Sequence, residues 1–267
     1  MSTTESDLEL DGKKVREFTE DQFFSVAATL NVIIDGAGGG GGGGAGGGQA
    51  CGGGGGGGGS LARAVAMILE PGRYHVVIGR GGDGGSTAGN EGKNGGLGTA
   101  TQLQMGSRAL LTFPAGRGGD GGTAGAYSVP SGTDRAHGGD GGESGGLGGP
   151  GGKGGNGVNH PDHRPDGEPG QPSDQGIGLG GRGGAHVVAP PPQIHPGGGG
   201  GGGGMGPGGI GASATGYSTG AVPGDSAKEG KRGAGGGGGA GWSQSTAGHA
   251  NGARGGGGVL RIFVLPR

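Results

Sequence analysis

The residues best suited to bind a metal ion lie in a short stretch with the sequence NHPDHRPD. The imidazole and carboxylate groups there belong to His160, Asp162, His163 and Asp166, and they could approach a metal together with His137 or His195. Structural metal sites usually show more tightly clustered ligands. A solvated loop stiffened by its prolines explains the same residues. We therefore predict no metal site in this stretch.

Motifs for nucleotide binding and catalysis are absent from the sequence. The pattern GxGxxG occurs many times through composition alone, and none of its copies follows a strand inside a βαβ unit. A phosphate-binding loop needs Gly-Lys followed by Ser or Thr, but Lys93 precedes Asn94 and Lys231 precedes Arg232. No Ser/His/Asp group or carboxylate pair stands out either. The sequence thus predicts a non-enzymatic protein with no catalytic residues and no cofactor.

The composition limits how the chain can be ordered and what it can bind. Glycine supplies 89 of the 267 residues, and hydrophobic residues only 28%. Ordinary globular chains contain about 7% glycine, so apolar burial alone cannot order this one. The net charge of −2 predicts no attraction to nucleic acid. The absence of any run of about 18 apolar residues predicts no membrane insertion, and a polar N-terminus without a secretion signal predicts synthesis in a cytoplasm.

The residues that interrupt the glycine runs recur with a period of three. In the stretch 145–157 every position except Leu147, Pro150, Lys153 and Asn156 is glycine. The same spacing relates Arg80 to Asp83, Arg117 to Asp120, His137 to Asp140, and Leu179 to Arg182. This is the period of the polyproline II conformation, which has three residues per turn and no internal hydrogen bonds.

Such segments are predicted to form a polyglycine II bundle. Ordering so many glycines carries a large entropic cost, which the chain can offset only by pairing the backbone groups of neighbouring segments. The all-glycine runs should be interior and the Gly-Gly-X runs, with their charged residues, peripheral. The all-glycine runs lie at 38–44, 52–59, 197–204 and 235–239. A flexible linker would keep no phase, and collagen needs two other residues for each glycine, so we disfavour both.

Apolar, β-branched stretches at both ends of the chain predict a small antiparallel sheet or sandwich. We expect hairpins at Pro71-Gly72 and at Gly106-Ser107, and a C-terminal strand that pairs with the first ones. The predicted strands are 25–35, 61–69, 74–78, 99–105, 108–113 and 259–265. The fold class is thus mostly β and irregular. The predicted division is an attachment segment at 1–24, a β-rich domain at 25–115 completed by strand 259–265, and a polyglycine II bundle with exposed loops at 116–258.

The order of these segments resembles that of glycine-rich phage tail-fibre proteins. The matching pieces are 31–48, 69–85, 98–122 and 252–267. More broadly, the chain is similar to the tail-fibre adhesins of T-even-like phages, in which a polyglycine II bundle presents variable loops to a host outer-membrane receptor. The resemblance implies a protein of the virion, at a tail fibre or tail tip, that binds a host cell-surface protein or glycan.

By this resemblance, receptor recognition falls to the loops that interrupt the glycine frame. These loops are predicted at 123–137, 158–175, 185–196, 211–232 and 242–254. The candidate receptor-binding residues are Tyr127, His160, His163, Tyr217 and Trp242, since aromatic side chains commonly anchor binding surfaces. Two other functions stay open. One is a structural fibre or baseplate subunit without receptor contact, and the other is an ice-binding protein, against which the charged columns argue.

Residues 1–24, at the start of the chain, form a glycine-poor stretch. Val15, Phe18, Phe23 and Phe24 supply its large apolar side chains, with little local core in the sequence to bury them. We predict that this segment attaches the chain to other phage tail or fibre proteins.

Overall fold

β-Strands and extended segments make up the described part of the chain. The structure is a computed structural model and describes residues 15–46, 53–59, 61–88, 91–121, 139–145, 147–155, 166–174, 178–185, 187–189, 193–195, 197–213, 229–240 and 251–266. The strands are β1 (Val15–Phe18), β2 (Gln22–Val26), β3 (Leu30–Ala37), β4 (Leu61–Leu69), β5 (Gly72–Val77), β6 (Thr87–Ala88), β7 (Glu91–Gly92), β8 (Thr101–Met105), β9 (Arg108–Phe113), β10 (Val187–Ala189), β11 (Gln193–His195) and β12 (Val259–Val264). No helix occurs within these ranges. The prediction of a mostly β and irregular chain is confirmed for them.

Two four-stranded antiparallel sheets form the β-rich part. The first sheet has the strand order β1-β12-β3-β4, and the second sheet has the order β2-β5-β8-β9. In the first sheet β12 lies between β1 and β3, so that Phe263 stands opposite both Val15 and Ile33. The predicted pairing of the C-terminal strand with the first strands is therefore confirmed.

One hydrophobic core lies between the two sheets. Its side chains come from alternate strand positions, as in β3, where Val32 and Ile34 are buried but Ile33 is only half-buried. The largest fully buried side chains belong to both sheets and include Tyr74, Phe18, Phe24 and Phe113. The Tyr74 hydroxyl donates to the Glu70 carbonyl at 2.8 Å, which satisfies its polar atom.

The turn at Pro71-Gly72 does not form the predicted hairpin. The flanking strands belong to different sheets, since β4 pairs with β3 whereas β5 pairs with β2 and β8. The inward side chains of β4 and β5 pack into one core from its two sides, so the turn must pass from one sheet to the other. The hairpin at Gly106-Ser107 is confirmed, with β8 and β9 paired and Gly106 at a φ of 59°.

The run at 38–46 shows how the glycine-rich segments are held together. Its successive residues donate backbone hydrogen bonds to three neighbouring segments in turn, at N···O distances of 2.8–3.0 Å. The acceptors are 93–99 for residues 39, 42 and 45, then 253–256 for 40 and 43, and 54–57 for 41 and 44. Its carbonyls accept in return from segments 82–85, 116–119 and 236–239. The neighbours thus repeat every third residue.

Burial in the described segments follows the predicted sorting. The runs 38–46, 53–59, 197–204 and 233–240 are buried throughout. The predicted peripheral residues are all exposed, namely Arg80, Asp83, Arg117, Asp120, Asp140, Lys153 and Arg182. The first two runs, which the prediction groups with the β-rich domain, exchange hydrogen bonds with the later segments 116–119 and 149–152.

We predict that Gly55→Ala and Gly200→Ala each destabilise the protein by at least about 3 kcal/mol or prevent folding. A Cβ on Gly55 would meet the carbonyl oxygen of Gly200, and one on Gly200 that of Gly181, both far inside van der Waals contact. Gly257→Ala is the matched control, because its Cβ would lie 3.6 Å from the nearest atom, the Gly79 oxygen. The control should change stability by less than about 1 kcal/mol. Calorimetric unfolding measures all three, and equal stabilities would contradict the close packing.

Candidate functional site

The hydrogen-bond register aligns the glycine-rich segments at two ends. Gly54 donates to the Asp120 carbonyl at 3.0 Å, and Asp120 donates to that of Asp140 at 2.9 Å, which brings three segments to one level. Further backbone hydrogen bonds between neighbouring segments bring other residues to this level, namely 45, 85, 93, 155, 184, 197, 212, 239 and 252. We call it the distal end. At the opposite, proximal end β3 leads into the run 38–46, and β12 follows the segment 251–258.

The long connections of the chain start from the distal end. The connections 122–138, 156–165 and 241–250 both begin and end beside residues of that level. The connection 186–196 does so too, and 214–228 begins there but returns to the described chain near the sheets, at Glu229. At the proximal end, short connections such as those at 146, 175–177 and 204–206 join glycine-rich segments.

The predicted loop at 158–175 is too long. Residues 166–174 form a rim segment of the glycine-rich part, in which Gly167 donates to the Gly184 carbonyl at 3.0 Å and Gly170 to that of Gly181 at 2.9 Å. Its signal in the sequence is a small residue at every third position, at 167, 170 and 173, between prolines whose φ suits polyproline II. The loop proper therefore ends at residue 165.

All five candidate receptor-binding residues, Tyr127, His160, His163, Tyr217 and Trp242, lie outside the described residues, and their role stays a prediction. Two short antiparallel strand pairs, β6 with β7 and β10 with β11, lie in connections that leave the distal end. Neither pair is among the strands predicted from the sequence, although Val187, Val188 and Ile194, on either side of a proline run, are β-branched.

The candidate attachment residues are mostly part of the sandwich. Phe18 and Phe24 are 1% and 0% exposed, with ring centroids 5.6 Å apart. Phe23 is half-buried on the outer side and stacks on His75 at 4.1 Å, while Val15 is exposed at the edge strand β1. The premise that this segment has little core to bury its aromatic residues is wrong. Strand β2 also crosses the predicted boundary at residue 24, and attachment itself stays a prediction.

A cleft of about 580 Å³ opens where the glycine-rich segments meet the sheets. Its charged lining residues include Glu20, Arg80, Glu229 and Arg254, so that both signs are present. Asp21 at its edge accepts a hydrogen bond from the Ile78 amide at 2.7 Å. Because acidic and basic side chains both line the cleft, its charge favours neither anions nor cations. Few apolar side chains line it, so it favours no class of ligand.

Among the described residues, packing perturbs the pKa values of two side chains. Burial raises the pKa of the Tyr74 hydroxyl and lowers the pKa of the Arg16 guanidinium, which sits 4.9 Å from the centroid of the Phe18 ring. Both groups belong to the sandwich rather than to the distal end. No cluster of three His, Cys, Asp or Glu side chains suited to a metal ion occurs in the described ranges.

No protein-family model matches the chain, and no curated protein is similar to it. Within the part of the chain that the structure describes, no helix is long and apolar enough to cross a bilayer.

We expect Phe24→Ala to destabilise the protein by about 3–5 kcal/mol, because it would empty a fully buried site in the core. Phe23→Ala is the matched variant one residue away. It removes a half-buried ring that stacks on His75 and lies 4.4 Å under the Arg73 guanidinium, and it should cost only about 1 kcal/mol. Urea denaturation of the full chain measures both. Equal and small effects would mean that the aromatic residues serve attachment alone.

Proposed function

We propose that the glycine-rich segments form a polyglycine II bundle. Three observations support it: hydrogen-bonded neighbours recur every third residue, the all-glycine runs are buried, and their backbones are too close for a Cβ. Both strand directions occur side by side, since the run 38–46 is parallel to 82–85 and antiparallel to 54–57. A glycine helix with three residues per turn can pair with both parallel and antiparallel neighbours, because its backbone polar groups point outward on every side.

We further propose that the chain is a non-enzymatic adhesin of a phage tail fibre or tail tip, which binds a host cell-surface protein or glycan. One observation carries this proposal. The described flanks of the connections that hold Tyr127, His160, His163 and Trp242 lie together at the distal end, and the connection that holds Tyr217 begins there. A group of loops at one end of a scaffold suits recognition of another molecule.

The scaffold contributes by holding the loop flanks in place. Each flank is tied to its neighbours by backbone hydrogen bonds, such as Gly198 to the Ala212 carbonyl at 2.9 Å and Gly155 to that of Gly197 at 2.9 Å. Fixed flanks reduce the entropy that the loops lose on binding, which strengthens a contact made by few side chains. A chain with a small apolar core gains a binding surface in this way.

The proximal end is the one we assign to attachment within the virion. Residues 15–24 of the predicted attachment segment lie in the sandwich, which adjoins the proximal end, and the segment at 1–24 would bind other phage tail or fibre proteins. This arrangement turns the loops away from the particle. The two roles thus occupy opposite ends of one chain.

Trp242→Ala is predicted to weaken receptor binding by about 30-fold, since loss of an aromatic anchor typically costs about 2 kcal/mol. Exchange of residues 156–165 for an unrelated loop should lower adsorption or shift host range, provided that the rim segment from residue 166 is kept. Lys153→Ala is the control, because its side chain is 61% exposed on the rim and pairs only with Asp140, at 3.2 Å. Adsorption rates of assembled particles on the native host measure these effects.

The adhesin proposal is contradicted if adsorption is unchanged after substitution of every loop, in particles that carry the chain at full occupancy. The chain would then be a structural fibre or baseplate subunit. Thermal hysteresis of the purified chain would instead assign ice binding.

A further inference from the structure

On the outward face of the first sheet, side chains form rows that run across the strands. These rows differ in whether another part of the chain buries them. Nearest the bundle, Val259, Ala37 and Leu61 stand opposite one another across three strands. They are at most 1% exposed and form a small core with Met205, from the turn between two glycine-rich segments. An apolar row on this face is thus buried where the bundle reaches it.

The next row along the strands carries charges that are already paired. Glu17 binds Arg261 at 2.6 Å and Arg232 at 3.0 Å. Asp35 lies 3.7 Å from the Arg63 guanidinium and accepts a hydrogen bond from the Ala64 amide at 2.8 Å. Both carboxylates in this row, those of Glu17 and Asp35, therefore have partners.

The third row is apolar again but has no described cover. Val15, Phe263, Ile33 and Ala66 stand opposite one another across all four strands, and we call them the apolar row. Val15 is 45% exposed, Ala66 is exposed, and the other two are half-buried. Ile68, in the adjoining row, is 59% exposed. Adjacent exposed apolar side chains, unlike single scattered ones, are typical of contact surfaces.

We propose that the chain's own N-terminal arm, residues 1–14, covers the apolar row through Leu8 and Leu10. The arm joins the described chain at Val15, which is itself the first member of the row. The row spans three interstrand spacings, about 14 Å, which about five extended residues can cross. Leu10 and Leu8 precede Val15 by five and seven positions, so both can reach the row.

The sequence of the arm fits this cover. From Asp7 to Asp11 acidic residues alternate with Leu8 and Leu10, which puts both leucines on one side of an extended chain and the carboxylates on the other. Gly12 allows the chain to turn back over the sheet. The apolar side matches the uncharged row, and the acidic side stays in water. The cover would form in the isolated chain, whatever the distal end binds.

The test compares the full chain with two double variants. Leu8→Ser/Leu10→Ser removes the apolar side of the arm, and Asp7→Ser/Glu9→Ser, the matched control, changes the other side. Loss of two buried leucines should shift the arm from covered to open by at least about tenfold. We expect the leucine variant to bind more of the uncharged dye Nile red and to be cut faster by trypsin after Lys13 and Lys14. The control variant should behave as the parent.

A leucine variant that matches the parent in dye binding or in cleavage rate would overturn the proposal. So would a parent that light scattering shows to be a dimer while its arm is cut as fast as that of the leucine variant, because a second copy would then cover the row.

Discussion

Neighbouring glycine backbones approach so closely in the glycine-rich segments that no Cβ fits between them, and this approach allows the hydrogen bonds that order these segments. A Cβ on Gly55 would overlap the Gly200 carbonyl, and comparable overlaps occur along all the interior runs. The composition follows from this constraint. A segment enclosed by neighbours must be all glycine, whereas one at the rim can carry a side chain at every third position. The exposed charged residues occupy those rim positions because water reaches only there.

The two parts of the molecule are ordered by different forces and meet at a junction that combines a small apolar cluster with a buried polar side chain. The sandwich has a conventional apolar core, while the glycine-rich segments have almost no side chains to bury. The Thr101 hydroxyl joins the two, since it accepts from the Gly79 amide at 3.0 Å and donates to the Ala37 carbonyl at 2.8 Å. Thr101 is fully buried, so its hydroxyl satisfies two backbone groups that water cannot reach.

The sequence predicted six of the twelve described strands, β3, β4, β5, β8, β9 and β12, and the sorting of glycine runs, because both depend on local periodicity. Strand β4 matches its predicted bounds, and the exposed positions of the Gly-Gly-X runs follow the period of three. The pairing across Pro71-Gly72 could not be predicted, since alternation tells which side of a strand is buried but not which sheet it joins. The same limit hid the burial of Phe18 and Phe24, whose core neighbours lie far along the chain. The receptor-binding residues remain predictions, because their loops keep no period from which a structure follows.

The chain leaves the sandwich for the bundle three times, between β3 and β4, between β5 and β8, and between β9 and β12. Each excursion departs from and returns to the proximal end; the first two each make two passes along the glycine-rich part, and the third makes nine described passes and returns once between residues 213 and 229. Topologically, the bundle is a set of insertions in a small β-sandwich. An added pair of Gly-Gly-X passes on the rim would displace no strand and no interior glycine, and it would contribute one more connection at the distal end. Duplication can thus add passes two at a time, while the β-sandwich that carries the insertions stays unchanged.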